Sequence, residues 1–180
     1  MSRYRIVSTW RVRATLQEVA AVLADVERLP EWWPAVYLDA RVTAPGDATG
    51  VGREVALHTR GWLPYTLRWR FRVTEVGEGR IVLEPQGDFT GRGEWTAWAE
   101  GDTAVVRYDW DVVARKPLLR ALGPLLRPLF AWNHRWAMRR GEDSLALEVA
   151  RRRAGTEAER ARVPPPPSGS RRGLRAPASP

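Results

Sequence analysis

Between Arg3 and Ala14 the chain alternates: Ile6, Ser8, Trp10 and Val12 fall on one side, and Arg5, Val7, Arg11 and Arg13 fall mostly on the other. A period of two with one apolar face predicts a half-buried strand. Thr15 and Glu18 then form a T-x-x-E capping box, and Leu16, Val19, Ala20, Val22, Leu23 and Val26 follow at helical spacing, which predicts a helix over 16–26. In the next stretch, LPEWWPAV, Pro30 and Pro34 bracket two adjacent tryptophans. Proline tolerates a first helical turn but disfavours helix at the residue before it, so Trp32 and Trp33 are expected on a very short helix or turn.

From Ala35 to Ala114 six apolar-polar runs follow, AVYLDARVTA, GREVALHTRG, YTLRWRFRVTEV, RIVLEPQG, GEWTAWAE and TAVVRYDWDVVA, separated by Gly, Asp and Pro. Consecutive strands with no helical pattern between them predict an antiparallel sheet. The third run places Tyr65, Leu67, Trp69, Phe71 and Val73 on one face and Thr66, Arg68, Arg70, Arg72 and Thr74 on the other. That division suits a sheet covered on one side and wet on the other. If Gly101 and Asp102 form the turn of AEGDTA, Trp95 faces Tyr108, Ala97 faces Val106 and Gly93 faces Trp110. The same register sets Glu94 against Asp109 on the outer face, an unfavourable pair unless outer arginines compensate or a bulge intervenes.

After Lys116-Pro117 the pattern turns helical. Gly123-Pro124 and Pro128 predict a short helix, a break, and a long helix over 125–152. Its sheet-facing stripe is expected to include Leu122, Leu129, Trp132 or Asn133, Trp136 and Leu147, with Ala137 and Gly141 permitting close approach.

Charge changes the picture only at one end. Of the net +8, residues 151–180 carry eight arginines and two glutamates, net +6, so residues 1–150 are close to neutral at +2. The final segment contains four consecutive prolines and no aromatic residue, a composition expected to stay disordered from about Gly155. The division is thus a domain over 1–153 and a tail over 154–180. A solvated tail is one reading and weak contact with an anionic membrane or nucleic acid the other. No specific nucleic-acid partner is expected, since no aromatic side chain is interleaved there to stack on bases. The absence of cysteine excludes disulfides and thiolate chemistry, and arginines interrupt the first fifteen residues where a signal peptide needs an apolar run. A soluble, cytoplasmic protein is expected.

The order β-α-α-β6-α, carried by TWRVRATLQEVAAVLADVERLPEWWP, GWLPYTLRWRFRVTEV, GDFTGRGEW, VVRYDWDV and WNHRWAMRRGEDSL, resembles the START-like, helix-grip superfamily (SRPBCC) that includes polyketide cyclases. The resemblance spans nearly all of residues 3–153. It implies an α+β fold in which a curved seven-stranded antiparallel sheet wraps a long C-terminal helix around a hydrophobic cavity, with the short helices at its mouth. One ring of Trp32 and Trp33 would then plug the core and the other form the cavity lip.

Catalytic signatures are sparse. His58 and His134 are the only histidines and neither has a partner at ligand spacing, so no metal and no cofactor are expected. No G-x-S-x-G occurs, and GDATGVG and GDFTGRG read as hairpin connections. The inward aromatic residues Trp69, Trp95, Tyr108 and Trp110, with Trp33, Asn133 and Trp136, are the candidate ligand-binding set; periodicity alone favours a filled core, and the resemblance reverses this by implying a sheet that encloses more volume than one helix fills. Tyr65, Tyr108 and Asn133 are the candidate catalytic groups, with Thr90 and His134 as further inward polar candidates. The expected function is binding of a small hydrophobic or aromatic, lipid- or polyketide-like ligand. The alternatives are a polyketide cyclase/aromatase-like enzyme, which the resemblance suggests but no assignable inward arginine supports, and a carrier associated with lipid surfaces.

Overall fold

The computed structural model describes residues 3–115 and 123–169. Strand β1 (Arg3–Val12) leads into helix α1 (Leu16–Ala24), a 3-10 turn (Val26–Arg28) and the single-turn helix α2 (Leu29–Trp32). Six strands follow, β2 (Tyr37–Ala44), β3 (Glu54–Arg60), β4 (Thr66–Gly77), β5 (Arg80–Gly87), β6 (Phe89–Glu100) and β7 (Thr103–Ala114). The long helix α3 (Gly123–Arg153) and a short α4 (Glu157–Arg162) complete the chain. All seven strands form one antiparallel sheet in the order β1-β7-β6-β5-β4-β3-β2, so β1 crosses to pair with β7. This is the α+β helix-grip architecture. No helix among the described residues is long and apolar enough to cross a membrane.

Local chemistry accounts for the elements. Thr15 caps α1 reciprocally with Glu18, satisfying two N–H groups that the helix start would leave open. Pro30 sits in the first turn of α2, where a missing N–H costs nothing. The β6–β7 hairpin has the register read from its turn, with Trp95 opposite Tyr108 and Gly93 opposite Trp110. Glu94 does face Asp109, and no bulge relieves it. Arginines do so instead: Arg80 and Arg92 bind Glu94, and Arg107 binds Asp109. Gly93 is required by crowding, since a Cβ there would lie 2.6 Å from Leu83 Cδ1 and 3.0 Å from the Trp110 ring. Beyond that point β6 parts from β5, whose pairing ends at Leu83–Gly93.

Two expectations need correction. Asn133 and Ala137 of the expected α3 stripe line the cavity and Trp136 packs partly buried against the core, but the buried positions are Met138, Gly141, Ser144, Leu145, Glu148 and Val149, a stripe rotated away from Leu147 in the second half of the helix. Trp132 is 40% exposed, and Trp136 lies at the flank beneath Arg140, whose guanidinium carbon is 5.9 Å from the ring centroid. The rotation brings a charge inward: Glu148, 2% exposed, is held by Arg151 at 3.0 Å and Arg152 at 2.9 Å, with Arg28 at 3.6 Å. Such a carboxylate is tolerated because its partners neutralise it. Second, the chain does not lose order at Gly155. Thr156 and Glu159 make another capping box and start α4, after which the chain is described to Gly169. As the expected bounds of 125–152 already implied, α3 runs through Pro128 without ending. The short helix expected ahead of it, and Leu122, lie outside the described residues.

Candidate functional site: an aromatic cavity

Strand parity aims large aromatic side chains inward from β4, β6 and β7, while Gly91 and Gly93 on β6 and Ala137 on the helix leave room between them. Trp69 on β4, Phe89 and Trp95 on β6, and Tyr108, Trp110 and Val112 on β7 face α3, which presents Ala137 and Met138. The sheet therefore encloses more space than the helix fills. The result is a cavity of about 160 Å³. Its aromatic wall is continuous: Trp95 stacks on Tyr108 at 4.0 Å between centroids, Tyr108 lies 5.4 Å from Trp110, and Trp110 lies 5.6 Å from Trp69 and 5.8 Å from Phe89. Mutual edge and offset contacts hold these rings in place without a ligand.

The paired tryptophans divide their work differently from a plug and a lip. Both are buried, at 1% and 3% exposure, and Trp32 stacks on Trp33 at 5.6 Å. Trp33 alone reaches the cavity, as part of its inner wall, and packs edge-on against Trp10 at 5.2 Å and Tyr37 at 5.1 Å.

Polar groups are few and distinct in kind. Tyr4, Tyr37, Tyr65 and Tyr108 all line the space, and the buried Tyr4 hydroxyl has no partner among the described residues. Burial raises the Tyr108 and Tyr37 phenols well above the usual range, and Tyr65 is pushed up to about 12. They are hydrogen-bond donors at neutral pH, not bases. Burial drives His134 the other way, to about 4, so its imidazole is neutral; its Nε2 lies 3.4 Å from Ser8 Oγ. Asn133 lines the wall but its Oδ1 is committed, accepting from the backbone N–H groups of Trp62 at 2.7 Å and Leu63 at 3.2 Å. It pins the β3–β4 loop to α3, aided by the edge contact of Trp62 with Trp132 at 4.7 Å.

The structure brings together Trp33, Trp69, Trp95, Tyr108, Trp110, Asn133, Tyr65 and His134 around one space. It leaves out two of the expected residues. Trp136 packs partly buried against the core without lining the cavity, and Thr90 follows Phe89, which takes the inward parity on β6. Sequence reasoning missed Tyr4, which the β1 alternation through Ile6 already marked, and Tyr37, Phe89 and Phe130. It also missed Arg60. By parity Arg60 shares the outer face with His58 and Ala56, yet β3 ends there and the side chain folds over the sheet end into the wall. Arg60 Nη2 donates to Pro34 O at 2.8 Å and Nε to Ala35 O at 3.4 Å, fixing a guanidinium at the rim. Among the described residues no group of three or more His, Asp or Glu is placed to hold a metal.

A sheet gripping one long helix around an aromatic cavity defines a ligand-enclosing domain. Residues 12–140 match the family described as polyketide cyclase / dehydrase and lipid transport, and the chain belongs to that family. Among solved structures it is similar to the Zhui aromatase/cyclase from Streptomyces sp. R1128, at 18% identity and TM-score 0.69, covering 85% of this chain and 97% of that one. A protein from Thermus thermophilus matches at 18% identity and TM-score 0.67, covering 84% of this chain and 100% of that one. Norcoclaurine synthase from Thalictrum flavum, solved with dopamine and hydroxybenzaldehyde, matches at 15% identity and TM-score 0.56, covering 84% and 89%. At these identities the likeness is one of fold. No curated protein sequence is significantly similar to the chain.

Proposed function

We propose that the protein reversibly binds a small, flat, hydrophobic or aromatic molecule in this cavity. The observation that carries the reading is the unfilled space behind a continuous wall of Trp69, Trp95, Tyr108 and Trp110. Its volume is comparable to the roughly 150 Å³ apolar cavity that accepts one benzene, so one ring, or two fused rings reaching toward the open side, suits it. Affinity comes from apolar area removed from water plus ring stacking. A single oxygen on the ligand would meet the Tyr4 hydroxyl or the rim guanidinium of Arg60.

A cyclase/aromatase-like activity is the second reading, and Arg60 favours it, because a fixed cation beside Tyr65 can stabilise negative charge developing on an enolising carbonyl. Against it stands that, among the described residues, no base is poised near neutral pH: His134 is lowered to about 4, Tyr65 is pushed up to about 12, and burial raises Tyr37 and Tyr108 as well. Titration of 2-naphthol against tryptophan emission tests binding, and saturable one-to-one quenching is expected. Cyclisation or dehydration of a poly-β-keto substrate, abolished by Arg60→Leu with the fold intact, would instead establish the enzyme.

A further inference from the structure

The segment after α4 takes a defined path. Val163 leaves the helix with φ −71° and ψ 123°, close to polyproline II geometry, and Pro164–Pro167 continue it. Its start is fastened to the long helix, where Arg151 Nη2 donates to Pro164 O at 3.0 Å. Arg151 is itself held by the buried Glu148. Its end meets Arg60. A Cβ placed on Gly169 would stand 3.0 Å from Cζ, Nε and Nη2 of Arg60 alike, so Gly169 lies close against that guanidinium. Five residues at about 3.1 Å each span roughly 15 Å between these two anchors. Pro166, Pro167 and Gly169 are half-buried along the way.

The composition suits the task. Four prolines have little conformational freedom to lose on docking, so a small contact suffices to hold the run in place. Glycine at its tip is the residue that can approach a planar cation so closely. Arg60 is a wall residue of the cavity, so whatever rests on it borders the way in.

We propose that Val163–Gly169 is an intramolecular strap that docks on Arg60 and gates exchange of ligand with the cavity. The proposal rests on the cavity being a ligand site. Strap release should speed both entry and exit while changing the equilibrium affinity less.

Four proteins test it: the full chain, a truncation after Gly169 that keeps the strap, a truncation after Arg162 that removes it while retaining α4, and full-length Gly169→Arg, which sets a second cation against the guanidinium of Arg60. The first readout needs no ligand. The Arg60 Nε–H resonance, assigned by its loss in Arg60→Lys, should shift in the truncation after Arg162 and in Gly169→Arg but not in the truncation after Gly169. The second is stopped-flow quenching by 2-naphthol, whose association and dissociation rates should each rise about threefold or more in the same two proteins. An unchanged Arg60 resonance would overturn the docking, and binding with unchanged rates would overturn the gate. Absence of 2-naphthol binding in all four proteins would overturn the cavity reading and the gate with it, leaving the resonance to decide the docking alone.

Discussion

Trp110 sits at the centre of the cavity wall, within 6 Å of Trp69, Phe89 and Tyr108. Trp110→Ala removes a stacking partner worth about 0.5–1.5 kcal/mol beyond its area, so the dissociation constant for 2-naphthol should rise roughly tenfold. Tyr108→Phe keeps the ring and deletes a hydroxyl that bonds to none of the described residues, and should leave the affinity nearly unchanged. A fluorescence titration of both variants separates ring from hydroxyl. His134 offers a pH test. Its folded value of about 4 lies below the ordinary 6.5, so the unfolded chain takes up a proton first. Stability from this group is complete above pH 6.5 and declines as the pH falls from 6.5 to about 4. Carbon-detected NMR should show the ring neutral at pH 5.5, and a ring protonated there would refute the burial. These roles were unequally legible in the sequence. Trp69, Trp95, Tyr108 and Trp110 follow from strand parity, which is strict. Arg60 does not, because a long side chain at a strand end escapes the parity of its own strand.

Two elements decide whether the sheet can grip the helix. Gly141 lets α3 approach α2 and β1, since a Cβ there would collide with Trp33 and would stand 2.6 Å from the Trp10 ring. Gly141→Leu overpacks this contact at a cost of about 1–3 kcal/mol, and the melting temperature should fall by roughly 3–10 °C. An unchanged melting curve would mean that the helix is free to move outward. At the other end of α3, Arg153 binds Glu18, the capping residue of α1, at 2.6 Å. This partner and the Thr15 N–H hold the Glu18 carboxyl at about 2, below its ordinary 4.5. The sign is therefore that of an acid stabilised in the folded state: its contribution is present above pH 4.5 and disappears as the pH falls toward 2. The pair is exposed and its contribution small. In Glu18→Gln the loss of thermal stability between pH 4.5 and 2 should be shallower than in the native protein. The capping box and the short helix leading into the paired tryptophans were readable from local chemistry, whereas the phase of α3 was not. Apolar residues occur all around its first half, and the buried Glu148 breaks the pattern in its second, so periodicity alone selects the wrong stripe there.

At the scale of the molecule, the architecture was the most legible property and the cavity the least. Element order, turn chemistry and the β6–β7 register each constrain the same antiparallel sheet, and they agree. Whether inward tryptophans fill a core or line a space depends on the volume between sheet and helix, which no local pattern encodes. The tail shows the same limit: a proline-rich composition announces a weak core, yet two anchors suffice to place Val163–Gly169 along the surface. The central claim is that the space beside Ala137 is where a ligand sits. Ala137→Phe puts a phenyl ring, about the size of the molecule such a space accepts, into the cavity from the helix side. The decisive measurement is 2-naphthol titration of tryptophan emission in the native protein and in Ala137→Phe, with thermal unfolding followed in parallel. Saturable one-to-one quenching in the native protein, lost in Ala137→Phe without a fall in melting temperature, is the predicted result. Equal quenching in both proteins, or no saturation in the native one, would contradict it.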